Sequence, residues 1–333
     1  MLAPKLAAMK QSVNKVVWGI LGVGDVCEKK SAPAMDKIDH SEISVVMRRN
    51  PDQAADFAQR HGVSRWTDQV DEVINDPEVN AIYIATPPHV HTELALKAAA
   101  AGKPTYVEKP MARTYEECHR MVDAFQQANV PLWVAYYRRA LPNVLRVKEL
   151  LKQNAIGEVR MVTIELYQPL RPTDANASNW RVHPEVSGGG YFHDLASHQL
   201  DLLDFLFGPI QYAHGFSTNQ AGAYPADDAV AASFRFASGV LGTGSWCFAA
   251  HQYLDQITIQ GEGGTIRFDA FTEFKVNIET KAWGSKEYAF TMPEHIQQPL
   301  IQQIVDELRG IGQCVSTGSS AARTGWVMDQ ILR

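Results

Sequence analysis

The 333-residue sequence has few cysteines, and Cys27, Cys118, Cys247 and Cys314 are spaced too widely to form a CxxC pair or a zinc-finger pattern. No run of about 18 apolar residues is present, so we expect no membrane-spanning helix. The 31 basic and 37 acidic side chains give a net charge of -6, which provides no overall attraction to nucleic acid or to an anionic membrane. These absences favour a cytoplasmic protein that binds a small molecule and no metal.

The order of the hydrophobic segments predicts two domains. Residues 1–14 contain no apolar segment and are expected to be a ragged N-terminus. From Val16 to about Ala135, short strands alternate with helices, which is typical of an α/β protein with a doubly wound parallel sheet of the Rossmann type. Later strands are joined by short turns, which favours antiparallel pairing. We predict a Rossmann domain over residues 1–137 and an α+β domain with a large, mostly antiparallel open sheet over residues 138–333.

A glycine turn follows the first predicted strand and precedes a helix. Gly22 and Gly24 permit close approach of the backbone to a pyrophosphate, and the helix N-terminus supplies N–H donors. Asp25 and Val26 continue this predicted cofactor site. The third glycine position of the dinucleotide fingerprint is occupied by Cys27, which is small enough for close packing of the helix on the strand. The alternative is an ordinary strand-to-helix turn.

Arg48 and Arg49 come directly after the second predicted strand. Domains that bind NAD usually place an acidic residue there to accept a hydrogen bond from the ribose. Two guanidinium groups are better suited to a phosphate, so the sequence favours NADP, with NAD as the second possibility. The alternative is a pair of solvated surface arginines.

A loop after the fourth predicted strand contains Thr86, Pro87, Pro88 and His91. Ligands bind near such strand ends in open α/β sheets, so we expect these four residues to form a wall of the cofactor site. The His-x-His pattern in this loop has no nearby carboxylate or cysteine at a matching spacing, which argues against a metal.

The fifth predicted strand ends in Glu108-Lys109-Pro110. Hydride transfer to a carbonyl requires a protic group near the developing alkoxide, and Lys109 can supply one. Glu108 is included in the predicted cofactor site, and the following proline permits a cis peptide. The alternative is a surface lysine.

Three glycines, residues 188–190, precede a helix that carries Asp194, His198 and Asp201. Their spacing of four and three residues predicts one shared helix face. Flanking carboxylates would set the tautomer of His198 and raise its pKa for proton transfer. The alternative is a structural histidine.

Four segments, GVGD, YVEKP, VAYYRRALP and GGGYFHDLASHQLD, together resemble the Gfo/Idh/MocA family of dehydrogenases over about Val16 to Leu332. The resemblance implies a Rossmann domain followed by an open-sheet domain, with Lys109, Asp194 and His198 as active-site residues. It also implies substrates such as sugars, inositols, dihydrodiols and related polyols.

The leading hypothesis is an NADP-dependent oxidoreductase that acts on a secondary alcohol or ketone of a sugar-like, polyol or dihydrodiol substrate. Lys109 and His198 remain alternative proton donors. The residues expected to line the substrate pocket are aromatic or can donate hydrogen bonds: Tyr136, Tyr137, Arg138, Trp180, Arg181, His183, Asp194 and His198. Two alternatives use the same fold, an NAD-dependent glycosidase with transient oxidation of the sugar and a non-catalytic dinucleotide-binding sensor.

The second sheet also offers a surface for assembly. Ala231, Ser233 and Arg235 alternate with more apolar residues, so one face is expected to be less apolar than the other. A homodimer or higher homo-oligomer through this sheet is the expectation, and a solvated face is the alternative.

Overall fold

The computed structural model describes residues 12–174, 176 and 179–333, so most of the predicted ragged N-terminus lies outside the described residues. The first sheet is built from strands β1 (Val16–Leu21), β2 (Ser41–Met47), β3 (Arg65–Thr67), β4 (Ala81–Ile84), β5 (Thr105–Val107) and β6 (Leu132–Val134). All of its pairings are parallel, and the strand order is β3-β2-β1-β4-β5-β6. This is the predicted doubly wound arrangement, and the order reverses between β1 and β4.

Both faces of the first sheet are covered because successive side chains of a strand point to opposite sides. Trp18, Tyr83 and Trp133 pack on one side beneath helices α1 (Ala32–Lys37) and α2 (Pro51–His61). Ile82 and Val107 pack on the other side beneath helices α3 (Val70–Ile74), α4 (His91–Ala100) and α5 (Tyr115–Ala128). Two apolar cores therefore hold the strand ends in fixed positions.

The second sheet comprises β7 (Val159–Tyr167), β8 (Ile210–Thr218), β9 (Ala229–Phe236), β10 (Leu241–Cys247), β11 (Leu254–Gly261), β12 (Gly264–Phe268), β13 (Lys275–Thr280) and β14 (Gly284–Ala289). Its order is β14-β13-β12-β11-β7-β10-β9-β8, and the β7–β10 pair is parallel whereas the other pairs are antiparallel. The remaining helices are α6 (Pro142–Lys152), α7 (Pro184–Ser187), α8 (Ser197–Phe207), α9 (Gln298–Leu308) and α10 (Gly318–Ile331). The predicted mostly antiparallel sheet is confirmed.

The two faces of the second sheet differ. Apolar residues of α6, α8 and α10 pack on one face. On the opposite face, Ala231, Ser233 and Arg235 are exposed, as their alternation predicts, and so are Tyr212 and Phe216 of β8. Oligomerisation through this face stays a prediction.

The end of the chain returns to the first domain. Leu300, Ile301 and Ile304 of α9 belong to the core beneath α1 and α2, although the predicted boundary assigned all residues after 137 to the second domain. Helix α10 packs against α5 as well as against β8 and α8, and its Asp329 accepts a 3.0 Å hydrogen bond from the backbone N–H of Tyr115. The two domains are therefore joined through α9 and α10 in addition to the segment after β6.

Two further searches concern the described residues alone. No helix among them is long and apolar enough to cross a membrane. They also contain no group of three or more His, Cys, Asp or Glu side chains positioned to hold a metal ion.

Candidate active site

The glycine turn lies where the strand order of the first sheet reverses. Gly22 has a φ of +93°, and a Cβ there would lie 2.6 Å from Thr86 Cγ2, so only glycine fits. A Cβ on Gly24 would meet nothing within 4 Å, which leaves open space beside the turn. Thr86 Oγ1 is buried with no hydrogen-bond partner in the described part of the chain. An open turn beside an unpartnered hydroxyl at the reversal point fits a dinucleotide.

The chain after the glycine turn forms a π-helical turn, Cys27–Ser31, before α1 begins. Cys27 is fully buried against the strand end, and burial raises the pKa of its thiol to about 12. The thiol is therefore neutral at pH 7 and acts as a small apolar group in the position of the third glycine. Asp25 is exposed and Val26 is partly buried beside it.

Arg48 extends back over the glycine turn from the end of β2. Its Nη1 donates a 2.8 Å hydrogen bond to the carbonyl oxygen of Val23, and the neighbouring Arg49 is exposed. The Arg48 guanidinium therefore lies at the edge of the predicted cofactor site, and Arg49 is the next residue in the chain.

His91 is fully buried, although the sequence predicted that it contacts the cofactor. Its Nε2 lies 2.7 Å from the carbonyl oxygen of Thr86, and its Nδ1 lies 3.2 Å from that of Pro110. Pro88 is buried as well. His91 and Pro88 thus support the loop from its buried side. Thr86 and Pro87 remain partly exposed.

Glu108 also requires a correction, because its carboxylate is buried and points into the core of the first domain rather than into the cofactor site. Its Oε1 accepts hydrogen bonds of 2.7 Å from the Tyr83 hydroxyl and from the Gln297 side-chain amide. Gln297 immediately precedes α9 and accepts a further bond from Tyr106. Glu108 therefore fixes the end of β5, where Lys109 follows.

Lys109 links the two domains across the cleft. The Lys109–Pro110 peptide is cis, and Lys109 Nζ donates hydrogen bonds to Asp194 Oδ1 at 2.6 Å and to the Asp194 carbonyl oxygen at 2.8 Å. Arg181 Nε lies 3.5 Å from the second carboxylate oxygen. Burial alone would raise the pKa of Asp194, but the charges of Lys109 and Arg181 outweigh it, so the pKa is lowered.

His198 lies beside this pair but has no carboxylate partner among the residues that the structure describes. The predicted face is wrong for Asp201, which pairs with Arg139, because the π-helical turn Phe192–Ala196 alters the helical phase between Asp194 and α8. The His198 ring instead contacts Tyr137 and Phe271, with ring centroids 5.3 and 5.9 Å away. Burial and the nearby charges of Lys109, Arg138 and Lys30 hold the pKa of His198 well below its usual value, which reverses the predicted direction.

Asp201 belongs to a separate group that we call the closed cluster: Arg139, Arg323, Asp201 and Asp204. Arg139 is 3% exposed, and its Nε and Nη2 donate to the two carboxylate oxygens of Asp201 at 2.7 and 2.6 Å. Arg139 also contacts Asp204 at 3.2 Å, and Arg323 binds Asp204 through two bonds of 2.8 and 2.7 Å. Each charge in this cluster has a partner of opposite sign.

The glycines before the π-helical turn allow the first domain to approach it. A Cβ on Gly188 would lie 2.9 Å from Arg113 Cα, and a Cβ on Gly189 would lie 2.3 Å from His193 Nδ1. His193 is buried in the space that the glycines leave, and burial lowers its pKa to about 4. These contacts place Asp194 opposite Lys109.

The other predicted substrate residues surround the cleft. Tyr136 and Tyr137 are buried against His198, and the Arg138 guanidinium lies 4.4 Å from the Phe271 ring and donates from Nη1 to the carbonyl oxygen of Ala270. Arg181 stacks on Trp180 at 4.6 Å. His183 is partly buried, 3.6 Å from Glu185.

Sequence reasoning missed Lys30 and Phe271. Lys30 follows the glycine turn, and its charge lowers the pKa of both Asp194 and His198. Phe271 belongs to a loop between β12 and β13, where no local pattern marks it. We name Lys30, Lys109, Arg138, Arg181 and Asp194 the open cluster.

Comparisons with known proteins agree with this architecture. Residues 16–136 match the sequence model described as oxidoreductase family, NAD-binding Rossmann fold, and residues 144–267 match the GFO/IDH/MocA C-terminal domain. Oxidoreductase P35 of Formosa agariphila is 40% identical over 320 residues, which cover 95% of this chain and 98% of that protein.

Two further comparisons concern levoglucosan dehydrogenase. The protein of that name from Pseudarthrobacter phenanthrenivorans is 32% identical over 250 residues, which cover 68% of this chain and 64% of that protein. A solved structure of levoglucosan dehydrogenase in complex with NADH and levoglucosan has a TM-score of 0.86 and 23% identity, with 95% of this chain and 96% of that chain covered. At that identity, the likeness supports the fold alone.

Proposed function

The chain belongs to the Gfo/Idh/MocA family of oxidoreductases, and we propose that it is an NADP-dependent dehydrogenase or reductase acting on a secondary alcohol or ketone of a sugar-like substrate. The observation that carries this proposal is the contact of 2.6 Å between Lys109 and Asp194 across the cleft, beside His198. The similarity to levoglucosan dehydrogenase supports a sugar as the substrate class.

The residues that would hold a dinucleotide are the turn at Gly22 and Gly24, the Thr86 loop and the two arginines after β2. A bound nicotinamide would accept the hydride from the alcohol carbon or donate it to the carbonyl carbon. The chain's own side chains would bind and orient the substrate and transfer the proton.

We assign the role of proton donor to Lys109. In reduction, the Lys109 ammonium donates a hydrogen bond to the carbonyl oxygen and transfers its proton as the carbon gains the hydride. Oxidation runs the same step in reverse, with the hydroxyl proton passing to Lys109 Nζ as the carbon loses the hydride. Asp194 directs Nζ into the cleft through its bonds of 2.6 and 2.8 Å. His198 is neutral at pH 7 because its pKa is low, so its role is to orient the substrate.

Titration with NADPH and NADH, followed by nicotinamide fluorescence, tests the cofactor assignment. We expect tighter binding of NADPH, and Arg49→Ala to weaken it about 10-fold or more with little effect on NADH, because one charge-assisted bond is worth about 1.5–3 kcal/mol. Arg48→Ala should weaken both, because Arg48 also binds the Val23 carbonyl. Arg120→Ala, on the exposed side of α5, is the matched control.

The outcomes separate the proposals. Equal or tighter binding of NADH would overturn the NADP assignment and leave the oxidoreductase in place. Binding of neither dinucleotide would overturn the proposed function. Dinucleotide binding without turnover of any aldose, ketose, polyol or sugar acid would favour the sensor.

A further inference from the structure

The open cluster contains more positive than negative charge. Lys30, Lys109, Arg138 and Arg181 all act on Asp194 or His198, and Asp194 is the single carboxylate that contacts any of these cations within the described residues. Lys30 follows the glycine turn, and we therefore assign its charge to the dinucleotide phosphates. Three cations and one carboxylate remain around the place of the substrate.

Arg138 is the most unusual of the three. It is 6% exposed and forms no ion pair with any described residue, and its Nε is buried without a hydrogen-bond partner there. The charge of Arg138 acts on Asp255, where it offsets part of the rise that burial causes in the pKa of that carboxyl. The guanidinium lies against Tyr137 and Phe271, the two rings that also contact His198, so the same charge also acts on the His198 side of the cleft.

Arg181 provides a direct contact at the mouth of the cleft. Its side chain is 40% exposed, and its contact with Asp194, at 3.5 Å, runs through Nε. Its two terminal nitrogens make no hydrogen bond to the residues that the structure describes, and Trp180 holds the guanidinium plane by stacking. A planar fork of free donors matches the geometry of a carboxylate.

We propose that the substrate is a sugar acid whose carboxylate is bound by Arg181, with Arg138 providing a second positive charge beside His198. This inference rests on the proposed oxidoreductase function and narrows its substrate class. A carboxylate is favoured over a phosphate ester because the two terminal nitrogens of one planar fork match the two oxygens of a carboxylate.

The test uses the protein with its preferred dinucleotide bound and three matched series: D-glucuronate, D-galacturonate and D-mannuronate, the three corresponding hexoses, and their 6-phosphates. Turnover is followed by nicotinamide absorbance, and equilibrium binding by calorimetry. We expect kcat/KM for at least one uronate to exceed that for its hexose at least 10-fold, and the uronate to bind correspondingly tighter.

Variants locate the carboxylate. Arg181→Gln is expected to reduce uronate kcat/KM at least 10-fold, mainly through KM, and to reduce it by a larger factor than hexose kcat/KM, so that the uronate preference falls. Arg181→Lys should restore part of the uronate preference because it retains the charge. Arg160→Gln, on the exposed surface of β7, is the control and should leave the preference unchanged.

Each outcome decides between the two proposals. Turnover of hexoses as efficient as that of uronates, or a preference for 6-phosphates, would overturn the sugar-acid inference and leave the oxidoreductase standing. Absence of turnover for all three series, with dinucleotide still bound, would contradict the proposed oxidoreductase activity. Calorimetry would then test the sugar-acid inference by binding alone. Tighter binding of uronates that Arg181→Gln abolishes would support it, and equal or absent binding would overturn it.

Discussion

The closed and open clusters share two neighbouring segments, with Arg139 next to Arg138 and Asp201 seven residues after Asp194, yet they differ in charge and in exposure. In the closed cluster, Arg139 and Arg323 face Asp201 and Asp204 through short, mostly buried bonds. In the open cluster, a single carboxylate, that of Asp194, interacts with several cations at the mouth of a cleft.

The difference separates two uses of charge. A buried ion pair whose hydrogen bonds are all made resists removal of either partner, because the remaining charge has no water to solvate it. Cations that outnumber their carboxylates retain attraction for a ligand. The closed cluster therefore fixes α8 to the start of the second domain, and the open cluster retains free binding capacity.

Breaking the open cluster should give the largest effect. Lys109→Met is expected to lower kcat about 10²–10⁴-fold, because it removes the proposed proton donor. The midpoint of urea unfolding should change little, since Arg181 still faces Asp194. Steady-state kinetics and urea unfolding check both parts, with Lys97→Met on the exposed side of α4 as the control. Turnover near the wild-type level would remove Lys109 from the proposed mechanism.

Breaking the closed cluster should affect stability instead. Arg139→Met removes the arginine that binds the buried carboxylates of Asp201 and Asp204. We therefore expect the free energy of unfolding to fall by about 3–5 kcal/mol. Arg323→Met is the matched control, because its side chain is 44% exposed, and a loss of about 1 kcal/mol or less is expected. Urea unfolding measures both variants. An equally small loss for Arg139→Met would contradict the contrast between the clusters.

Acidification gives the smallest effect and tests the surroundings of the open cluster. The pKa of His193 is lowered from 6.5 to about 4, so the unfolded chain binds a proton in a range where the folded protein does not. The contribution of neutral His193 to the free energy of unfolding is therefore complete above about pH 6.5. It is lost as the pH falls to about 4, and the total loss reaches about 3 kcal/mol.

Urea unfolding at several pH values measures this slope. His193→Gln should flatten it, and His119→Gln, on the exposed side of α5, should leave it unchanged. A wild-type free energy of unfolding that is constant between pH 6.5 and 4 would show that His193 is not buried in its neutral form.

Sequence patterns predicted most of the secondary structure because apolar runs end at local turn signals. The apolar segments Val16–Leu21, Thr105–Val107 and Val159–Tyr167 form strands. The glycines and lysines at strand ends were equally visible, because parallel strands bring their carboxyl ends to one edge.

The rest depends on contacts between distant segments. Spacing suggested that Asp194 and Asp201 share a face, but one π-helical turn separates them into different clusters. The inward direction of the Glu108 carboxylate depends on Gln297, almost two hundred residues later. Phe271 reaches His198 from a loop of the second sheet, and no local pattern encodes that approach.

The return of α9 to the first core has a consequence for how the chain divides. The backbone N–H of Val13 donates a 3.1 Å hydrogen bond to the carbonyl oxygen of Leu308, so the start of the described chain meets the end of α9. The first domain is thus discontinuous, and most of the second domain is an insertion between β6 and α9. A fragment cut after residue 137 would lack one wall of its own core, whereas α9 spliced directly ahead of Val13 would restore that wall as a permuted chain.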